Sequence, residues 1–165
     1  MRGAIVILLL LMAGCASYDG RGLRPGESRG EDAVALMGAP ALRWQDADGA
    51  QQFAYPRGPA GFHTFMVHLA PDGRLRLIEN VLDQAHLARV RPGMGKDDVL
   101  RTLGPPDERL SAYFPARDEL AWDWRFIEGF ASPMRMIVLF DATSGTVRST
   151  MIQPEQTAFA DPIAP

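Results

Sequence analysis

The chain has 165 residues, 22% of them charged and 47% apolar, with a net charge of −3 at neutral pH. That length suits one ordinary domain or two very small ones, and the acidic balance, without a basic stripe, argues against a nucleic-acid partner. A single cysteine leaves no room for an intrachain disulfide framework or a cysteine-based zinc site.

In chain order, Met1-Arg2 supplies a positive charge and residues Ala4 to Met12 are unbroken apolar, the n-region and h-region of a secretory signal. That run is too short to span a bilayer as a helix. Met12-Ala13-Gly14-Cys15 follows, and it resembles the bacterial lipobox, in which the cysteine is acylated and becomes the new N-terminus. Met12 stands where the pattern usually has Leu. The resemblance implies a signal peptide over 1–14 and lipidation, including palmitate, at Cys15. Residue 16 is Ala rather than Asp, which by resemblance to Gram-negative lipoproteins favours the outer membrane. Residues 15–30 then read as a lipidated cysteine with a flexible tether rich in Ser, Asp, Gly and Arg.

After the tether, Ser28 and Glu31 have the spacing of a capping box. Val34, Leu36 and Met37 supply apolar positions, and Gly38 stops the helix with Pro40 beyond. Gln51 to Tyr55, Phe62 to Leu69 and Arg74 to Ile78 read as three strands, the last two joined by the turn Ala70-Pro71-Asp72-Gly73. Leu82 to Val90 is a link. Val90 to Pro106 repeats the earlier pattern: a Pro92-Gly93 turn, Asp97 and Asp98 in a first helical turn, Val99, Leu100 and Leu103 on an apolar stripe, then Gly104 and Pro106 as a stop. Leu120 to Ile127, Met134 to Phe140 and Thr146 to Ile152 read as three more strands.

Arg24-Pro25-Gly26 and Gly38 thus match Arg91-Pro92-Gly93 and Gly104, while Gly73 matches Gly145, with an insertion in the second copy around Ser111 to Asp118. The expected fold is α+β: two tandem copies of a short helix followed by a three-stranded antiparallel meander, helices packed on the sheet. The expected repeats cover 31–82 and 83–152, with a loose tail over 153–165. The two sheets could join edge to edge or pack back to back.

With Gly93-Met94, Val99, Leu103-Gly104-x-Pro106, Trp122, Trp124 and Phe140-Asp141 with Gly145 in place, the chain resembles the SmpA/OmlA (BamE-like) family of outer-membrane lipoproteins. It also resembles the tandem β-lactamase-inhibitor-protein-like fold. Gly95 departs from the Thr or Ser cap of that family, and a usual member carries one copy of the pattern. The resemblance implies a non-catalytic interaction module on the periplasmic face, bound to the membrane through acyl chains and to envelope proteins such as the β-barrel assembly machinery.

Few residues suggest chemistry. His63 and His68 are five apart on one strand, hence on opposite faces, and cannot share a metal. Asp118, Glu119 and Asp123 read as a solvated face or as cross-strand partners of Arg117 and Arg125. The serines lack a nucleophile elbow, and no Gly-rich loop precedes a helix. Neither catalytic residues nor a cofactor are expected. The candidate partner surface is aromatic: Tyr55, Phe62, Tyr113, Phe114, Trp122 and Trp124. The Trp122, Trp124, Phe126 stripe also fits a core. A second reading is an inhibitor or ligand-sensing lipoprotein whose curved sheet binds an envelope enzyme or a small molecule.

Overall fold

The computed structural model describes residues 19–57 and 61–155. The signal segment, Cys15 and residues 156–165 of the expected tail lie outside the described residues.

The first unit begins with helix α1 (Gly30–Met37), followed by strands β1 (Leu42–Gln45), β2 (Gln51–Pro56), β3 (Thr64–Leu69) and β4 (Leu75–Asn80). A four-residue helix α2 (Gln84–Leu87) leads to α3 (Lys96–Leu103), then β5 (Ala112–Phe114), a 3-10 turn over Pro115–Arg117, β6 (Glu119–Glu128), β7 (Ser132–Asp141) and β8 (Val147–Pro154). Each sheet is antiparallel with strands in sequence order, β1-β2-β3-β4 and β5-β6-β7-β8.

This corrects the expected fold class. The molecule is mostly β, with two four-stranded sheets and only small helices, not two units of a helix and three strands. The strands missed are β1 and β5. β1 is four residues between Pro40 and the Asp46–Gly49 turn, and it takes its strand geometry from pairing with β2. β5 is three exposed residues inside the expected insertion, paired to β6 through Ala112, Tyr113 and Phe114. Runs this short carry no readable period.

The first helix starts later than its capping-box reading. Ser28 Oγ instead accepts from the N–H of Arg24 at 2.9 Å, and Asp32 caps by accepting from the N–H of Arg29 at 2.7 Å. Asp98 does the same for Gly95 at 3.0 Å, so α3 starts without a side chain at its N-cap. The region read as a tether is built into the body from Gly20 onward. Gly20 is buried, and the Gly26 N–H donates to Leu75 O at 2.8 Å while the Leu75 N–H donates to Ser28 O at 2.7 Å. The second unit repeats this clamp: Gly93 N–H to Val147 O at 2.8 Å and Val147 N–H to Met94 O at 2.9 Å.

Alternation decides the layers. Phe53, Tyr55, Val67 and Leu69 pack with Ala33 and Met37 of α1 on one face of the first sheet. Ala54 and Met66 occupy its other face with Val81, Leu42 and Trp44. That second face meets α3: the Trp44 indole N–H donates to Asp97 Oδ1 at 2.9 Å, and Gln52 Nε2 donates to Arg101 O at 2.7 Å. The opposite side of α3, through Val99 and Leu103, joins a core with Trp124, Phe126, Met136, Val138 and Phe140. The stack is therefore α1, first sheet, α3, second sheet. Neither edge joining nor back-to-back sheets describes it, because one helix serves both units.

Candidate functional site

The punctuating residues act on the backbone. Gly26, Gly38 and Gly93 have φ of +80°, +87° and +90°, and Pro40 follows α1 as a stop. Gly104 is more constrained. Its φ is +75°, and a Cβ there would lie 2.6 Å from Thr64 Cγ2 of the first sheet. Its carbonyl accepts from the Trp124 indole of the second sheet at 3.2 Å. Only glycine fits a point where α3 ends between two sheets. Pro106 lines the seam just beyond.

The six candidate aromatic residues separate by burial. Tyr55 and Trp124 are each 2% exposed, which removes them from any partner surface. Tyr55 faces α1, and burial pushes its hydroxyl above the usual phenol range, partly offset by Arg43 and Arg57. Trp124 is core because α3 covers its face of β6. Trp122 is half-buried and edge-on to Phe140 at 4.7 Å and to Trp124 at 6.1 Å. Phe62 is half-buried under the Arg125 guanidinium, 4.3 Å from its ring centre. Tyr113 and Phe114 remain, 54% and 39% exposed on the edge strand β5.

These two side chains are held by a connected scaffold. Arg117 lies 4.5 Å over the Phe114 ring and is itself paired with Glu119 at 2.9 Å. Asp118 takes a left-handed φ of +46° as the 3-10 turn ends, and its carboxylate accepts from the Thr143 N–H at 3.1 Å. The Arg148 guanidinium donates to Arg117 O at 2.9 Å and pairs with Asp141 at 2.7 Å. Asp141 also accepts from the Ser144 N–H at 2.7 Å, and these donors, led by Ser144, hold its carboxyl down at about 2. The β5 edge is thus pinned to the β7–β8 turn.

Asp123 corrects a second expectation. It lies on the face of β6 away from α3, as alternation requires, yet it is 1% exposed. Its partner is Arg135 across the sheet, while Arg125 pairs with Glu155 at 2.7 Å. Burial pushes the Asp123 carboxyl above its usual range, Arg135 opposes this, and Asp107 and Glu155 add to it.

One linked set of polar groups was not legible in the sequence. His68 Nε2 lies 3.0 Å from Glu79 Oε1, Glu79 Oε2 lies 3.2 Å from His86 Nε2, and His86 Nδ1 lies 2.8 Å from Asp83 Oδ1. Asp83 also caps α2 by accepting from the His86 N–H at 2.9 Å. Burial raises its carboxyl, but the His86 hydrogen bonds outweigh that and leave it lowered. Asp83 three residues before His86 was the available signal; the pairing of Glu79 with His68 needed the β3–β4 register. The set ties α2 to the first sheet. Among the described residues no group of His, Cys, Asp and Glu could hold a metal ion.

A cleft of about 360 Å³ opens where the two sheets meet, lined by His63, Thr64, Pro105, Pro106, Trp124 and Arg125 among others. Several of its polar groups are engaged in structure. Thr64 donates its N–H to Asn80 Oδ1 at 3.2 Å, His63 stacks on Phe65 at 6.0 Å, and Asp107 pairs with Arg109 at 2.7 Å. No nucleophile with an adjacent base converges there among the described residues. The exposed β5 edge is the better candidate for contact with another molecule.

No protein-family model matches the chain, and no curated protein matches it. Among solved structures, an extracellular protein containing a SCP domain from Bacillus anthracis aligns at 10% identity with a TM-score of 0.29. The alignment covers 82% of this chain and 51% of that one, so the chain spans about half the length of that protein. A likeness of this size carries no argument about fold or activity.

Proposed function

We propose that the protein is a lipoprotein, anchored through Cys15 in the outer membrane and facing the periplasm, that acts as a non-catalytic docking module for envelope proteins. The observation that carries the reading is the combination of the Met12-Ala13-Gly14-Cys15 motif with a rigid β5 edge presenting Tyr113 and Phe114. Exposed aromatics on a fixed backbone suit interface anchors, because little entropy is lost on binding. Each buried acyl CH₂ contributes about 0.8 kcal/mol, so several chains hold a small body on a bilayer. Confinement there raises the effective concentration of a weak docking surface.

Resemblance to the SmpA/OmlA family makes the β-barrel assembly machinery the first partner to test. The test has two arms. Metabolic labelling with a palmitate analogue should mark the wild-type chain in the outer-membrane fraction and leave Cys15→Ser unmarked. A photo-crosslinker at Tyr113 should capture an assembly component that the same crosslinker at Phe130 does not. Unmarked wild-type protein would sink the anchor, and matching crosslinks at both positions would sink the docking edge.

A further inference from the structure

The side of the molecule that carries α1 lies at the start of the described chain. Gly20 is buried, its N-terminal turn is closed by the Leu23 N–H on Gly20 O at 3.1 Å, and a Cβ there would lie 2.7 Å from Ile78 Cδ1 and 3.3 Å from Met37 Sδ. The body therefore begins within five residues of Cys15. From Cys15 to Asp19 the chain spans at most about 14 Å when fully extended. A compact body of this size has a radius of gyration of about 14 Å, that of a sphere of about 18 Å radius. Four layers at about 10 Å spacing put the outer face of the second sheet roughly 30 Å from α1.

We infer that the α1 side of the first unit, around Leu23, Ala35, Leu36 and Arg76, lies against the surface of the lipid bilayer that holds Cys15. This rests on the lipid-anchor reading. A link shorter than the radius of the body lets it rock about the attachment, but not turn its far layer to the membrane. Leu23, Ala35 and Leu36 line a shallow groove there, with Arg24 at its edge. Arg21 pairs with Asp19 at 3.0 Å and Arg24 with Glu27 at 3.5 Å, so the face has no large excess of charge from these groups. The length of the link, rather than headgroup attraction, selects the orientation. The same geometry turns the face of the second sheet that carries Asp123 and Ser149 away from the lipid and toward the periplasmic space.

Acylation consumes the Cys15 thiol, which is the single native cysteine, so one introduced cysteine can be labelled alone. The full acylated chain is placed in vesicles of phosphatidylethanolamine and phosphatidylglycerol containing headgroup spin-labelled lipid. A fluorophore is attached at Ala35→Cys, at Arg76→Cys, or at Ser149→Cys, all exposed positions. Quenching should be several-fold stronger at 35 and 76 than at 149. Inserting a Gly/Ser spacer of about 20 residues after Ala16, with an r.m.s. span of ~25 Å, should erase that difference. Equal quenching at all three sites in a chain whose N-terminal peptide mass shows the acyl groups overturns the orientation alone. Quenching at 35 that survives the spacer unchanged overturns the link as its cause. A peptide mass without acyl groups overturns the anchor and the orientation together.

Discussion

Trp124 and Gly104 form the contact on which the two halves of the molecule close. The indole N–H of one donates to the carbonyl of the other at 3.2 Å, while the α-carbon of Gly104 backs onto Thr64 of the opposite sheet. A single residue at the end of α3 therefore touches both sheets. Helix stop and layer packing are decided at one position.

Gly104→Ala is expected to cost on the order of 2–4 kcal/mol, combining backbone strain with a clash. Gly38→Ala is the matched control. It has φ +87° and ψ −171°, close to the +75° and −172° of Gly104, but no atom lies within 4 Å of its added Cβ. It should lose only the strain, about 1–3 kcal/mol. Denaturant unfolding measures both. Equal losses would show that Thr64 yields and that the contact adds nothing.

Arg135→Met removes the cation facing Asp123, a carboxylate 1% exposed. A buried charge left alone costs about 3 kcal/mol near neutral pH, less than the top of the usual range because Arg135 is itself partly open. The Asp123 pKa is already raised in the folded state, so its contribution favours folding at low pH and is lost as pH rises through the folded value. The variant raises that pKa further. The stability gap between variant and wild type should narrow as pH falls, and a gap independent of pH would count against this account.

Asp141 has the opposite sign. Its folded pKa of about 2 lies below its ordinary 3.8, so it contributes stability above pH 4 that is lost as pH falls through about 2. A carboxyl carbon titration by NMR should place its midpoint there. In Arg148→Met the midpoint should rise, though not to the ordinary value, because the Ser144 N–H remains. No movement in the variant would remove Arg148 from the explanation.

Tyr113→Ser with Phe114→Ser should leave stability within about 1 kcal/mol, because both side chains are exposed on an edge strand. Under the proposed docking reading, crosslinking from this edge to an envelope protein should fall to background. Retained crosslinking with an unchanged melting curve would move the docking surface elsewhere.

What the sequence discloses here is local. Gly93, Gly104 and their counterparts mark positions of positive φ, and strands such as Leu75–Asn80 lie within two residues of where alternation puts them. β5 is invisible because three exposed residues become a strand only through the register that β6 offers. Trp124 and Trp122 read alike, and the position of α3 alone makes one core and leaves the other half-buried. Asp123 was on the expected face. Its ion-pair partner is Arg135 across the sheet, and the Glu155 charge that helps raise its carboxyl lies 32 residues onward in sequence, relations no short window contains.

The paired clamps have a consequence for how two copies of the chain can meet. Leu75 and Val147 stand near the start of the last strand in each sheet, where an unpaired backbone would invite a strand from a neighbouring chain. Their own turns occupy those groups first, Gly26 and Ser28 for one, Gly93 and Met94 for the other. The chain supplies its own competitor at Leu75 and Val147, so at these two points the strand edge is closed to a second chain.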